Sequence, residues 1–105
     1  MVHYIALYKL QEHVDDEKIE EMIRGCRSHL FRIHEVHNVR SGKRIEPEME
    51  YPFFVAIDFE NLDKLKMYRE DPLQVKFDQE VIKPNTSECV ELFYETEPGK
   101  NVKYS

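Results

Sequence analysis

Cysteine is scarce in this chain: only Cys26 and Cys89 occur. They form no C-x-x-C pair, and no Cys/His cluster at zinc spacing surrounds either one, so no metal site is expected. A nucleophilic thiol needs a neighbouring base, and none is apparent, so both cysteines read as small buried apolar side chains. A basic run is missing as well. The densest cationic cluster is Gly42-Lys43-Arg44, and the formal net charge is −6. Binding a phosphate backbone takes clustered Lys and Arg that displace counterions, which excludes nucleic acid as a partner. No apolar run approaches the ~20 residues of a membrane helix, which excludes a membrane span. Repeats and low-complexity segments are also lacking. The first residues run directly into Val2-His3-Tyr4-Ile5-Ala6-Leu7-Tyr8 with no positively charged lead. A cytoplasmic location and a chain that begins in its first strand are the expectations.

What is present is enough for one domain. The chain has 105 residues, 41 % hydrophobic and 34 % charged, which suits a single core under a charge-rich surface. Residues 2–10 read as a strand with Tyr4, Ala6 and Tyr8 on one face and Ile5 and Leu7 on the other. Both faces are apolar, as in a strand covered on both sides. Asp15 or Asp16 can cap the helix that follows. Ile19, Met22, Ile23, Cys26, Leu30 and Ile33 recur at steps of three and four, which predicts a helix over residues 16–33. Residues 34–45 form a less regular strand anchored by Val36, Val39 and Ile45, with a bend or bulge at Ser41-Gly42. Residues 51–59 are the clearest strand. Phe53, Val55, Ile57 and Phe59 share one face, and Phe54 and Ala56 lie on the other.

Asn61 caps a second helix whose buried positions are Leu62, Leu65 and Tyr68 or Met67. Asp71-Pro72 restarts it, with Asp as the cap and Pro in the first helical position. Val75, Phe77, Val81 and Ile82 give the restarted helix its apolar side, and Pro84 and Asn85 stop it. Residues 87–94 form a last strand, with Val90, Leu92 and Tyr94 opposite Cys89, Glu91 and Phe93. Residues 97–105, broken by Pro98-Gly99, read as a tail after a domain of residues 1–96.

The order β-α-β-β-α-β implies an α+β, ferredoxin-like fold: a four-stranded antiparallel sheet with its helices on one face. The other face then carries Ile5, Leu7, Phe54, Ala56 and Phe93. Such a contiguous apolar patch is too large to leave in water. Covering it with a second copy, face to face about a two-fold axis, predicts a homodimer built as a dimeric α/β-barrel.

Several pieces, in order, resemble the stress-responsive dimeric α/β-barrel (Dabb) family over residues 2–94. They are Tyr4-Ile5-Ala6-Leu7-Tyr8-Lys9-Leu10, Glu17-Lys18-Ile19-Glu20-Glu21, Gly42-Lys43, the strand ending Phe59-Glu60, Leu65-Lys66-Met67-Tyr68, Asp71-Pro72, Val75-Lys76-Phe77 and Ile82-Lys83-Pro84. The resemblance implies a homodimer with a central barrel and no single activity. Its best-understood type, olivetolic acid cyclase, closes a linear polyketide by an aldol step and uses no metal or organic cofactor, so no cofactor is expected. In that type a histidine early in the broken second helix is the general base, a nearby tyrosine supports it, and histidines on the first and third strands line the pocket. Here the base position is Gln74, the strand positions are Tyr4 and Phe53, and the tyrosine is kept as Tyr68. His3 lies one residue away from Tyr4 and so on the opposite face. A glutamine cannot accept a proton as histidine does; it can only orient or hydrogen-bond.

The pocket candidates are therefore Tyr4, Tyr8, Met22, Cys26, Phe53, Val55, Tyr68, Gln74 and Phe77, around a small apolar or aromatic ligand. Two alternatives stand beside that reading. One is a polyketide-cyclase-like lyase or isomerase carried by Tyr68 and Tyr4. The other is a non-enzymatic dimeric module whose core is filled, each Tyr placing its hydroxyl at the rim. A cavity beside Tyr68 and Gln74 separates the ligand site from the filled core. His29, His34 and His37 span a helix end and a strand start and read as solvated turn residues. His3 and His13 show no partner, and Asp58 is expected to pair with Lys9 or to face the barrel rim.

Overall fold

The computed structural model describes residues 1–97. The tail expected from residue 97 onward lies, from Pro98, outside the described residues. The first strand, β1 (Val2–Leu10), alternates as its sequence implies: Val2, Tyr4, Ala6 and Tyr8 are buried, and Ile5 and Leu7 half-buried. Helix α1 (Asp16–His29) starts at Asp15, whose side chain accepts from the Lys18 backbone N–H at 2.8 Å. Asp16 and Glu17 then complement the positive end of the helix. The apolar stripe runs on to Ile33 as expected, but the last turn, Leu30–Arg32, tightens to a 3₁₀ geometry that buries Leu30. At Gly25 an added Cβ would sit 3.0 Å from Cε1 of Phe77, so the missing side chain is what lets that ring lie against α1.

Strand β2 (His37–Lys43) is shorter than expected. Its irregularity falls at Asn38, which has φ 51° and lies between His37 and Arg40, not at Ser41-Gly42. Gly42 serves another purpose: an added Cβ there would stand 3.0 Å from the Phe54 ring. Ile45 lies beyond the strand and is exposed instead of anchoring it. Strand β3 (Phe53–Phe59) buries every residue except Phe54, which is half-buried.

Helix α2 (Leu62–Glu70) is capped by Asn61, which accepts from the Lys64 N–H at 3.0 Å. Leu65 and Tyr68 bury, whereas Leu62 and Met67 turn to solvent. Asp71 caps α3 (Pro72–Phe77) by accepting from the Leu73 N–H at 2.8 Å, with Pro72 in the first helical position. Val75, expected on the apolar side, is exposed. The helix does not stop at Pro84. It widens into a π-helical turn, Asp78–Ile82, and closes through Lys83–Asn85. Proline has no N–H and its ring crowds the carbonyl four residues back, so the bond preceding it shifts: Lys83 N–H donates to Asp78 O, five residues away. The buried Asn85 then donates to Val81 O at 2.6 Å, while its backbone oxygen accepts from Gln11 N–H at 2.9 Å. It thereby ties the helix end to the β1–α1 turn.

Strand β4 (Thr86–Glu95) completes a sheet of order β2-β3-β1-β4, antiparallel at each junction. This is the ferredoxin-like arrangement, with the helices on one face. The largest side chains sealed between the layers are Phe53, Phe59, Met22, Ile57 and Cys26.

The register corrects one strand face. Tyr4 lies opposite Phe93, and residues directly opposite share a face, so Phe93 belongs with Tyr4 on the helix side. Its ring packs 5.4 Å from that of Tyr4, under the Arg69 guanidinium. Phe93 is therefore not part of the open face. Leu92, opposite Ile5, and Val90, opposite Leu7, stand there instead.

Candidate functional site

Three elements meet beside the break between α2 and α3. Strand β1 sends up Tyr4 and Tyr8, α2 ends with Tyr68 and Arg69, and α3 brings Gln74 and Phe77. Between them is a cavity of about 270 Å³. Leu30, Val55, Phe77 and Ile82 form apolar walls, and Asp78, Lys83, Thr86, Cys89 and Glu91 complete the lining. Six of the residues expected from sequence reach it: Tyr4, Tyr8, Val55, Tyr68, Gln74 and Phe77. Met22, Cys26 and Phe53 do not. They are sealed in the core, at 0 %, 0 % and 1 % exposure, and the Tyr8 ring packs against Phe53 at 5.7 Å.

The polar groups are partnered in a definite way. The Tyr4 hydroxyl donates to Glu91 Oε2 at 2.6 Å, and the same oxygen lies 3.7 Å from the Arg69 guanidinium. Lys83 Nζ stands 3.4 Å from Asp78 Oδ2. Each cation at the cavity thus faces an anion. Tyr68 packs its ring on Phe59 at 5.2 Å and lies 6.5 Å from the ring of Tyr4.

Burial pushes the phenols of Tyr4, Tyr8 and Tyr68 well above the usual tyrosine range. At Tyr4 the Tyr8 and Glu91 side chains add to the effect. At Tyr8 the neighbours are Cys89, Tyr68 and Asp78; at Tyr68 they are Cys26 and Asp78. At neutral pH these groups are hydroxyl donors and acceptors, not phenolate bases. Burial likewise raises the Cys26 thiol to about 12, against the lowering effect of Ser41. Cys89, expected to be buried, is exposed at the cavity edge, where partial desolvation and then Glu91 hold its thiol up.

Arg69, Asp78, Lys83 and Glu91 are absent from the pocket candidates read from the sequence, and Cys89 is read there only as a small buried side chain. Asp78 follows Gln74 by four residues, a spacing that places both on one side of a helix. Cys89 and Glu91 come into view only once β4 is paired with β1, opposite Tyr8 and Ala6.

Away from the cavity, Asp58 is buried and is held by His3 Nδ1 at 2.7 Å, Arg40 at 2.9 Å and Asn38 at 3.2 Å, not by Lys9. Lys9 instead pairs with Glu50 and Glu88. His3 also meets Thr96 Oγ1 at 2.8 Å, and His13 meets Asn85 Oδ1 at 3.1 Å, so both histidines have partners. His29 lies against Gly25 O at 3.0 Å, and His37 lies 3.6 Å from Glu60. Among the described residues no three His, Cys, Asp or Glu side chains converge to hold a metal ion. No helix there is long and apolar enough to cross a membrane.

The model of the stress responsive A/B barrel domain, Dabb, matches residues 2–95. The chain belongs to this family. No curated protein matches it. Among solved structures it is similar to a Dabb family protein with a ferredoxin-like fold from Mesorhizobium loti, at 17 % identity and TM-score 0.80, over 91 % of this chain and 96 % of that one. A dimeric ferredoxin-like protein of unknown function from Thermobifida fusca is 21 % identical, with TM-score 0.81 and 90 % of each chain covered. A hydroxynitrile lyase from Passiflora edulis is 14 % identical, with TM-score 0.78, over 95 % of this chain and 96 % of that one. At these identities the likeness is one of fold, and a Dabb fold by itself assigns no activity.

Proposed function

We propose that this Dabb protein is a homodimer in which each copy holds one small, neutral, largely aromatic or apolar molecule between its sheet and its helices. The observation that carries the ligand reading is the cavity beside Tyr68 and Gln74, where a filled core would have left none. Its size is near the lower end of ligand pockets, roughly 300–1,000 Å³. Its walls combine apolar side chains with a few hydroxyl and amide groups, the pattern that orients a mostly apolar ligand. Neutrality follows from the pairing of Arg69 with Glu91 and of Lys83 with Asp78, which leaves no uncompensated charge for an ionic ligand.

The dimer reading is supported by the open sheet face, where Ile5, Leu7, Phe54, Ala56, Val90 and Leu92 lie side by side. Ion-paired groups bound this strip at both ends, His3-Asp58-Arg40 at one and Lys9 with Glu50 and Glu88 at the other. The related Thermobifida fusca protein is dimeric.

A thermal-shift screen of neutral phenols and aromatic ketones against aromatic carboxylates tests the ligand reading. A neutral binder at 100 times its Kd should add about 2.7 kcal/mol of stability. Tyr68→Phe should weaken it by about 1 kcal/mol, the worth of one hydrogen bond. Stabilisation by the acids alone, or by no compound, counts against a neutral-ligand site.

A further inference from the structure

We propose that Thr96, His3 and Asp58 form a nucleophile–base–carboxylate relay that hydrolyses small neutral carboxylic esters. The relay stands on the sheet face opposite the cavity and does not rest on the ligand reading. His3 lies opposite Asp58 on β3 and opposite Tyr94 on β4, so the three share the face that carries Ile5. Asp58 is buried, and its Oδ1 meets His3 Nδ1 at 2.7 Å. An ionised carboxylate only accepts, so Nδ1 carries the ring proton and Nε2 is left as the acceptor. Nε2 meets Thr96 Oγ1 at 2.8 Å, so the hydroxyl donates to the ring. A hydroxyl within 2.6–3.2 Å of a base that a third group orients is the signature of an activated nucleophile, recognised by roles and not by sequence order.

Both ends of the relay are held. Arg40 Nη2 donates to Asp58 Oδ1 at 2.9 Å and Asn38 Nδ2 to Oδ2 at 3.2 Å, the latter from the bulge of β2, where Asn38 has φ 51°. Thr96 N–H donates to Met1 O at 2.9 Å and the terminal ammonium to Thr96 O at 3.0 Å, which fixes the backbone under the hydroxyl. Thr96 itself is exposed, so a small ester can reach it, and Arg40 answers the charge of Asp58, which suits a neutral one. In the proposed reaction Thr96 Oγ1 bonds to the ester carbon as its proton passes to His3 Nε2. The carbonyl electrons move to oxygen and return as the bond to the leaving oxygen breaks. That oxygen takes the proton from Nε2 and departs as an alcohol or phenol, leaving Thr96 acylated. Water repeats the sequence at the acyl carbon, with His3 again taking and returning the proton, and frees the acid and the threonine. Asp58 is a positioning residue: it holds the ring and offsets the charge that Nε2 gains.

The test uses p-nitrophenyl acetate, with release of p-nitrophenolate read by absorbance and the acetylated position by peptide mass spectrometry. The native chain should release phenolate faster than buffer and carry the acetyl group on Thr96 when the reaction is quenched early. Thr96→Ala, an exposed change beyond the end of β4, should leave the fold intact by circular dichroism and bring release to the buffer rate. Thr96→Ser should again take the acetyl group at position 96. His3→Gln should slow acetylation by roughly 10²-fold or more, the usual contribution of a general base. Asp58→Asn should lower kcat with KM unchanged, a split that loss of folded protein alone would not give for the labelled fraction at position 96. No release above buffer overturns the proposal. So does an acetyl group found only on amines or on the His3 ring, or a Thr96→Ala chain that releases phenolate like the native one. In each of these cases the cavity reading is untouched, because its own screen does not depend on Thr96.

Discussion

The two cysteines differ more than their chemistry suggests. Cys26 is at 0 % exposure on the inner face of α1, while Cys89 lies at the cavity edge on the outer strand. A thiol reagent should therefore label Cys89 in the folded protein and Cys26 only when the chain unfolds, which mass spectrometry with and without urea would show. Cys26→Ser should cost about 1–3 kcal/mol, as expected for placing a hydroxyl in an apolar site. Cys89→Ser should stay within about 0.5 kcal/mol of the native chain. The sequence could not tell the two apart. Cys26 announces itself by its place in the 3–4 stripe of α1, whereas β4 is mixed on both faces: Cys89, Glu91 and Phe93 against Val90, Leu92 and Tyr94. With no clean alternation its facing is settled only by the partner strand, which is also why Phe93 was expected on the wrong side.

At the scale of elements, periodicity and caps were enough to read most of the fold. Asp15, Asn61 and Asp71 cap the helices as their positions imply, and β1 and β3 bury the faces that their alternation marks. The π turn was not legible, because it arises from Pro84 acting on backbone bonds upstream of it. The same turn carries Asp78 into the cavity, so the least predictable element holds a group missing from the sequence-based site. Gly25 links packing to that site. In an exposed helix interior Gly→Ala gains roughly 1 kcal/mol, but here the added methyl meets the Phe77 ring at 3.0 Å. That ring has an adjacent cavity to yield into. Gly25→Ala is thus expected to change stability by less than about 1 kcal/mol while weakening ligand binding, and a urea melt run beside a binding titration checks both halves.

Two consequences concern the whole molecule. The first is the alkaline limit of the fold. Tyr4, Tyr8, Tyr68 and Cys26 all keep their protons in the folded chain beyond the point at which they would lose them in the unfolded one. The native state then binds more protons than the unfolded state, so their contribution is complete below the ordinary ionisation range and declines as pH rises. For Cys26 the decline spans from the usual 9.0 to about 12. For the tyrosines it begins at the usual 10.0. The urea midpoint should accordingly fall from about pH 9 upward, and steeply above about pH 10. The tyrosinate absorbance of these three phenols should rise together with unfolding and not before it.

The second consequence is assembly. Ile5 lies between Ala56 and Leu92 in the register, at the middle of the apolar strip on the open face. If two copies meet there about a two-fold axis, Ile5→Asp places a carboxylate from each chain in one desolvated centre. Like charges brought together without partners oppose association by several kcal/mol. Sedimentation should therefore show a dimer for the native chain and a monomer for Ile5→Asp. Leu62→Asp, at a position 65 % exposed on α2, should leave the dimer unchanged. A native chain that sediments as a folded monomer at micromolar concentration would remove the dimer. An Ile5→Asp chain that stays dimeric would move the contact to another surface, the β4 edge being the next place to look, since β4 is an outer strand of the sheet among the described residues.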